Sequence, residues 1–420
     1  MEQTHNPHSL ASSSDTAFKQ VEAQCFAQAV ELYGKPLPET VADRLEQELT
    51  MIQKSGSSHF FWSFSQLQEQ LINDGQYFEA RGTIASSFVA YLLGITEINP
   101  LKSHYRCPRC KRTLFFDERE CSVGADLPDT GCPHCRVAME KLGYTIPAEA
   151  FFGLDGEAFL NFSGNTSAEA TDFLHSVTEK ELHLRPFSSL SMFRDLASET
   201  KTNLSDIPLN DPEIWALIES QRLVGLGSLS PFRLPPLYPN TDVGNTLLTI
   251  QPIRSLSELI QVCGHIHSTG TWSNNGETIF HSGTASFNEL ISSRDDLFLA
   301  LKRVGSSRSD AYRIAECVRK GYFCKCPDSC KAEQEKILLL QQNGRLPEWY
   351  FTYLKKILYL FPRAQIVTAA LRSYRLTWFK KYYPEVFYRL AVRKALSENE
   401  AEVRALMEEA AQDGMILMRG

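Results

Sequence analysis

Cys107-Pro108-Arg109-Cys110 and Cys132-Pro133-His134-Cys135 are two C-x2-C pairs with 21 residues between them. Each pair closes a tight turn that points both thiolates inward. Two such turns complete a tetrahedral four-sulfur site suited to zinc. The spacer is slightly longer than in the usual ribbon, but the length of the intervening hairpin is free. The competing reading, two redox dithiols, needs only one such motif. We therefore expect a structural Zn2+ held by Cys107, Cys110, Cys132 and Cys135, with Cys121 a spare thiol in the spacer. A closed four-cysteine site offers no open coordination position, so the metal's role is to fold the module.

Outward from this module, the chain has 420 residues, 43% of them apolar and 11% aromatic, enough for two or three domains with a buried core. No run approaches the ~18 apolar residues of a membrane span. The first 17 residues are polar, without a basic start followed by an apolar stretch, and read as a disordered lead-in instead of a secretory signal. The expected location is therefore the cytoplasm, with no membrane partner. Of 11 cysteines, a second group is Cys317, Cys324, Cys326 and Cys330. Two readings stand for it: free thiols on a loop, or a second metal site.

The net charge of −7 hides a local reversal. Between Gln341 and Ala395 eleven Lys or Arg face two Glu, whereas Glu398 to Asp413 carries six acids and one Arg. Within the basic block, Arg363, Arg372, Arg375, Lys380 and Lys381 alternate with Tyr374, Trp378, Phe379 and Tyr382. That mixture suits phosphates and stacked bases, or alternatively a helix with an aromatic core face and solvated charges.

Apolar residues at 41, 45 and 49 mark one face of a helix within a mostly helical segment from 18 to 104. Residues 105–146 are the cysteine module. Pro, Gly and Ser are dense between 147 and 250, which predicts extended segments and loops. Helical patterning resumes near Ser255, runs through 251–395 with breaks near Pro327, Pro347, Pro362 and Pro384, and ends in an acidic helix over 396–420.

These segments resemble PolC-type bacterial DNA polymerase III alpha subunits. The likeness lies in Leu32-Tyr33-Gly34-Lys35-Pro36, in Arg44-Leu45-Glu46-Gln47-Glu48-Leu49, and in Arg81-Gly82 with Ser86-Ser87-Phe88-Val89-Ala90. It continues through the cysteine pairs and Leu160-Asn161-Phe162-Ser163-Gly164. Further matches are His267, Trp272, Arg294-Asp295-Asp296, Pro347-Glu348-Trp349-Tyr350 and Phe361-Pro362-Arg363-Ala364. The resemblance implies a mostly helical α+β fold: a degenerate C-family polymerase palm with an inserted zinc-ribbon-like module, followed by a fingers-like helical region from 251 to 395.

The same resemblance implies three metal-binding carboxylates, and this sequence departs from them. The Asp-x-Asp positions ahead of Leu160 read Glu157-Ala158-Phe159, and the offset of the third places His183 there. Two divalent ions about 4 Å apart need converging oxygen ligands; Phe supplies none, and His suits magnesium poorly. Glu79 and Ala85 replace glycines of the loop that would meet the triphosphate, and roughly a hundred family residues are missing between Leu160 and Leu182. The expected function is a non-catalytic polymerase core that binds single-stranded or primed DNA, or a replication or repair protein. The alternatives are residual DNA-directed nucleotidyl transfer and a purely architectural or regulatory role.

Overall fold

The structure, a computed structural model, describes residues 7–117, 120–154, 163–166, 183–186, 188–219, 247, 252–395, 400–412 and 414. The chain divides into two compact units, Met1–Phe187 and Ser188–Gly420. The fold is mostly helical α+β, with two small three-stranded sheets among the described residues.

In the first unit, the Pro7–Tyr33 helix buries Ala17, Val21, Cys25, Ala29 and Tyr33, a strict i, i+4 stripe. The expected lead-in over the first 17 residues is therefore helical from Pro7 onward. The stripe anchors it: burial of Ala17, Val21 and Cys25 fixes the helix from residue 17 onward. The Glu39–Ser55 helix buries Val41, Leu45, Leu49 and Ile52, as the spacing predicts, and ends at Gly56 in the left-handed conformation. The same helix also buries a charge. Glu48 is fully inaccessible and accepts hydrogen bonds from the Ser87 hydroxyl at 2.6 Å and from the Phe88 and Val89 amides at 3.0 and 3.1 Å. Arg44 pairs with the same carboxylate and donates to the carbonyls of Ser86 and Ile146 at 3.0 and 2.9 Å.

One sheet joins strands β1 (Phe78–Arg81), β5 (Ser163–Thr166) and β6 (His183–Pro186) in the order β1-β5-β6. β1 runs antiparallel and β6 parallel to β5, with Ser163 opposite His183. The other sheet is built from β2 (His104–Arg106), β3 (Thr113–Phe115) and β4 (Glu140–Leu142). It is antiparallel, in the order β3-β2-β4.

The second unit begins earlier than the composition suggests. Ser188–Thr200 and Pro212–Glu219 are helices, not extended segments, and pack on the later helices Pro384–Ala395 and Arg363–Tyr382. Trp215 lies against Tyr374 with ring centroids 4.9 Å apart, and the Tyr374 hydroxyl donates to the Pro208 carbonyl at 2.9 Å. The expected breaks at two of the prolines fall at helix starts: Pro362 precedes Arg363–Tyr382, and Pro384 opens the next helix. An acidic helix, Glu400–Gln412, follows.

Breaking the Arg44–Glu48 pair from one side leaves a buried guanidinium without its counter-charge. Glu48→Ala should therefore destabilise the first unit by about 3 kcal/mol or more, read from equilibrium urea unfolding against the wild-type chain. A destabilisation no larger than that of an exposed glutamate would show that Glu48 does not hold this loop.

Candidate functional site

The cysteine module is two copies of one turn. In the first, the Lys111 amide donates to the Cys107 carbonyl at 3.0 Å and the Cys110 amide points at Cys107 Sγ at 3.4 Å. In the second, the Arg136 amide donates to the Cys132 carbonyl at 2.8 Å and the Cys135 amide points at Cys132 Sγ at 3.5 Å. Each turn is closed by a residue in the left-handed region, Lys111 at φ 62° and Arg136 at φ 58°. Each first cysteine also donates its amide back across the turn, Cys107 to Arg112 and Cys132 to Val137. The sequence marks the cysteines but not this backbone repetition, because neither left-handed position is a glycine.

Cys107 and Cys132 are buried beside Tyr105, Leu127 and Met139, whereas Cys110 is exposed and Cys135 half-buried. All four sulfurs lie within 4.8 Å of one another, with Cys110 and Cys132 at 3.6 Å. A zinc ion with bonds of about 2.3 Å in tetrahedral geometry puts its sulfurs ~3.7 Å apart, so the set fits the ion. The thiols also share protons unequally. Burial acts upward on Cys107, but the amides of Cys110 and Arg109 and the neighbouring thiols outweigh it and lower the group to about 6. Cys135, hydrogen-bonded with Cys110 and desolvated, is pushed up to about 12.

The module is tied to the rest of its unit through His104. Its Nδ1 donates to the Lys102 carbonyl at 2.7 Å, which leaves Nε2 to accept from the Tyr33 hydroxyl at 3.3 Å. Burial is the main cause that lowers this imidazole to about 4 and keeps it neutral. Gly143, at φ +97°, closes the module where any Cβ would sit 2.3 Å from the Lys102 carbonyl oxygen.

Of the three positions inferred for the family's carboxylates, Glu157 and Phe159 lie outside the described residues. The backbone of His183 opens β6, and its register partner is Ser163 in the strand that follows Leu160-Asn161-Phe162. Thus the segment carrying the first two positions leads into a strand adjacent to the third. The glycine-serine loop lies in the same unit, folded as a short helical turn, Gly82–Ser86, then capped by Ser87, whose hydroxyl accepts from the Ala90 amide. The donors Phe88 and Val89 at that cap are already engaged by Glu48.

The expected nucleic-acid face of the Arg363–Tyr382 helix requires correction. Arg363, Arg375 and Lys380 are only 8%, 7% and 5% exposed, and Arg372 is half-buried. Arg363 donates its amide to Asp295 at 2.7 Å and its guanidinium to Asp296 at 2.8 Å, and Lys380 pairs with Glu409. This helix is buried on most of its circumference, and Arg363 and Lys380 serve internal partners; Lys381 alone of the five is exposed, 3.1 Å from Glu213. The sequence pattern misled because aromatic and cationic residues interleave in the same way in a buried helix.

A different surface combines exposed cations with exposed rings. Lys320, Lys325, Lys355 and Lys356 are exposed, as are Tyr322 at 38% and Tyr359 at 36%. Gly321, at φ +71°, brings the backbone beside Lys320 and Tyr322 against the backbone beside Tyr359: a Cβ there would sit 2.3 Å from the Leu358 carbonyl oxygen, so only glycine lets the two segments touch. Lys325 Nζ donates to that same carbonyl at 3.1 Å, and Lys320 lies over the Tyr322 ring at 5.7 Å. No periodicity revealed this cluster, because its members come from separate segments.

The second cysteine group does not converge as four ligands. Cys317 and Cys330 form a disulfide, and Cys324 and Cys326 are exposed free thiols. Among the described residues no helix is long and apolar enough to cross a membrane.

Residues 19–169 match the family model of the bacterial DNA polymerase III alpha NTPase domain. The chain is also similar to proteins named DNA polymerase III PolC-type. Identity is 28% with that of Caldanaerobacter subterraneus subsp. tengcongensis, over 86% of this chain and 33% of the relative. It is 28% with that of Listeria monocytogenes, over 96% and 35%, and 26% with that of Lactococcus lactis, over 91% and 30%. The chain spans about a third of the length of these relatives. The Listeria alignment extends over 521 positions, more than the 420 residues of this chain, so the relative carries internal stretches that are missing here.

Cys107→Ser removes one of the four sulfurs that could together hold a metal ion. The module should release its metal and lose its fold, since structural zinc contributes around 10 kcal/mol to such small domains. Elemental analysis of freshly purified wild-type protein should find zinc; a metal-free wild type with the same folded spectrum as the variant would refute the assignment.

Proposed function

Because this chain is a PolC-like protein, related over most of its length to PolC-type DNA polymerase III, we propose that it is a polymerase-core homologue that binds nucleic acid without extending it. One observation carries the reading. At the inferred carboxylate positions the chain has Glu157, Phe159 and His183, and the strand register sets His183 beside the segment that follows the other two. Two close divalent cations repel strongly, and one carboxylate cannot offset that repulsion.

The four-cysteine site, with Zn2+ bound, supplies structural support and no step of a reaction. Its ligands Cys107, Cys110, Cys132 and Cys135 would hold β2, β3 and β4 to the helical body of their unit. Nucleic acid binding is assigned to Lys320, Lys325, Lys355 and Lys356, where ammonium groups can meet phosphates and Tyr322 and Tyr359 can stack on bases. Such a surface reads charge and ring faces and not base edges, so it favours single-stranded or primed DNA without sequence preference. A replication protein as partner accords with the relatives' name, DNA polymerase III PolC-type. Asp155, two residues ahead of Glu157, keeps a rebuilt metal site as the second reading.

Both readings can be separated on a primed template with magnesium or manganese. Neither the wild-type chain nor an Asp155→Ala, Glu157→Ala double variant should incorporate nucleotide. Incorporation by the wild type that disappears in the double variant would establish a rebuilt metal site and overturn the proposal.

Charge reversal at Lys320, Lys355 and Lys356 should weaken binding to a labelled single-stranded oligonucleotide equally on all sequences. It should also reduce the dependence of log affinity on log salt by about 0.7 for each phosphate that the variant no longer neutralises. Fluorescence anisotropy at several salt concentrations measures both. Binding that survives the triple reversal unchanged would place the phosphate-facing surface elsewhere.

A further inference from the structure

Cys317 and Cys330 take no part in the reading above. Cys317 lies in the last turns of the Arg308–Arg319 helix, and Cys330 directly precedes the Lys331–Gln342 helix. They are joined as a disulfide with Cα atoms 6.5 Å apart. Glu333, in the first turn of the following helix, brings a carboxylate oxygen within 4.8 Å of both sulfurs. Cys324 and Cys326, in the loop that the disulfide closes, stand outside this group.

We propose that Cys317, Cys330 and Glu333 are a redox-gated cation site, closed as a disulfide when oxidised and a two-thiolate, one-carboxylate site for Zn2+ when reduced. Three features converge on this. First, the backbone spacing suits both states. Disulfides span Cα separations up to about 6.8 Å, so this pair is near the wide end. Rotation of the two side chains can then set the sulfurs at the ~3.7 Å that tetrahedral zinc requires.

Second, the ligand frame does not depend on the disulfide. Lys336 of one helix pairs with Asp310 of the other, Ile337 is buried, and Gln334 donates to the Pro327 carbonyl at 2.9 Å. The Ser329 hydroxyl closes the preceding turn on the Cys326 carbonyl at 2.7 Å. The two helices therefore stay together when the bond opens. Third, reduction supplies a donor set that a cation can use. The two thiols lie beside the Glu333 carboxylate and give up their protons to solvent when a cation takes both sulfurs as thiolates. Thiolates prefer a borderline-soft ion such as zinc over magnesium or calcium. Three protein ligands leave the fourth position to water.

The conversion balances with a dithiol as reductant. One thiolate of the dithiol attacks Cys317 Sγ, the half-buried sulfur, and Cys330 leaves as the thiolate. The second thiol of the reductant, deprotonated, then attacks its partner sulfur in the mixed disulfide and releases Cys317 as a thiolate. Two electrons pass from the dithiol to the protein, and the reductant departs as its own disulfide. The loop so released from its covalent closure carries Lys320, Tyr322 and Lys325.

The full-length chain, reduced and equilibrated with Zn2+ before gel filtration, should retain one zinc more per chain than either C317S or E333Q treated identically. E333Q preserves the shape of the side chain and guards against a folding defect in C317S. Cobalt(II) in place of zinc should show thiolate charge-transfer absorption that falls in both variants. In protein oxidised until peptide mapping finds Cys317 linked to Cys330, the additional zinc should be absent. Equal zinc in reduced wild type, C317S and E333Q overturns the proposal. So does an additional zinc that persists with the disulfide closed, or one lost in a C324S, C326S double variant but kept in E333Q.

Discussion

A charge taken out of water must be met on every side, and that constraint organises both units of this protein. Removing an ion from solvent costs several kcal/mol even after the surroundings relax. Glu48 meets the constraint with two amides, a hydroxyl and a guanidinium. Because those donors come from residues 44, 87, 88 and 89, satisfying one carboxylate fixes the path of the glycine-serine loop against the Glu39–Ser55 helix. In the second unit Asp295 and Asp296 have the same role. Asp295 accepts from Arg294 and from the Arg363 amide, and Asp296 from Ser292, Ser293 and the Arg363 guanidinium.

This second network extends outward. Arg294 also lies 3.4 Å from Glu316, which Arg319 holds at 2.8 Å. Burial pushes the Glu316 carboxyl upward, yet Arg319 and Arg294 outweigh it and keep the group below its ordinary value. The chain thus links the start of the Arg294–Arg303 helix, the end of the Arg308–Arg319 helix and the start of the Arg363–Tyr382 helix. Cys317 sits inside that linked segment, two residues before Arg319. The position of Cys317 is therefore set by an ionic core within its own helix and its neighbours.

The relationship to polymerases and the proposed departures at Glu157, Phe159 and His183 coexist without contradiction. The scaffold is maintained by buried polar groups and apolar stripes, neither of which needs a metal-binding carboxylate. Replacing such carboxylates relieves the mutual repulsion of clustered charges that a two-metal site must otherwise hold together. A fold of this kind can keep its helices, its cysteine module and its internal ion pairs while its chemistry changes.

Local patterns were legible in the sequence alone. The two C-x2-C pairs, the 41-45-49 stripe, the prolines that open helices and the acidic final helix all depend on residues close in the chain, so spacing reveals them. The kinship was also legible, because it rests on ordered motifs. Tertiary structure decided what depends on distant partners. The lysines and arginines from Arg363 to Lys381 look like a phosphate-facing surface until Asp296 and Glu409 are seen beside Arg363 and Lys380. The segment from Ser188 to Glu219 looks like part of the first half until Trp215 is found on Tyr374. Whether a charge is solvated or enclosed follows from what packs around it. No local spacing encodes that, because the enclosing groups lie from about thirty to more than a hundred residues away.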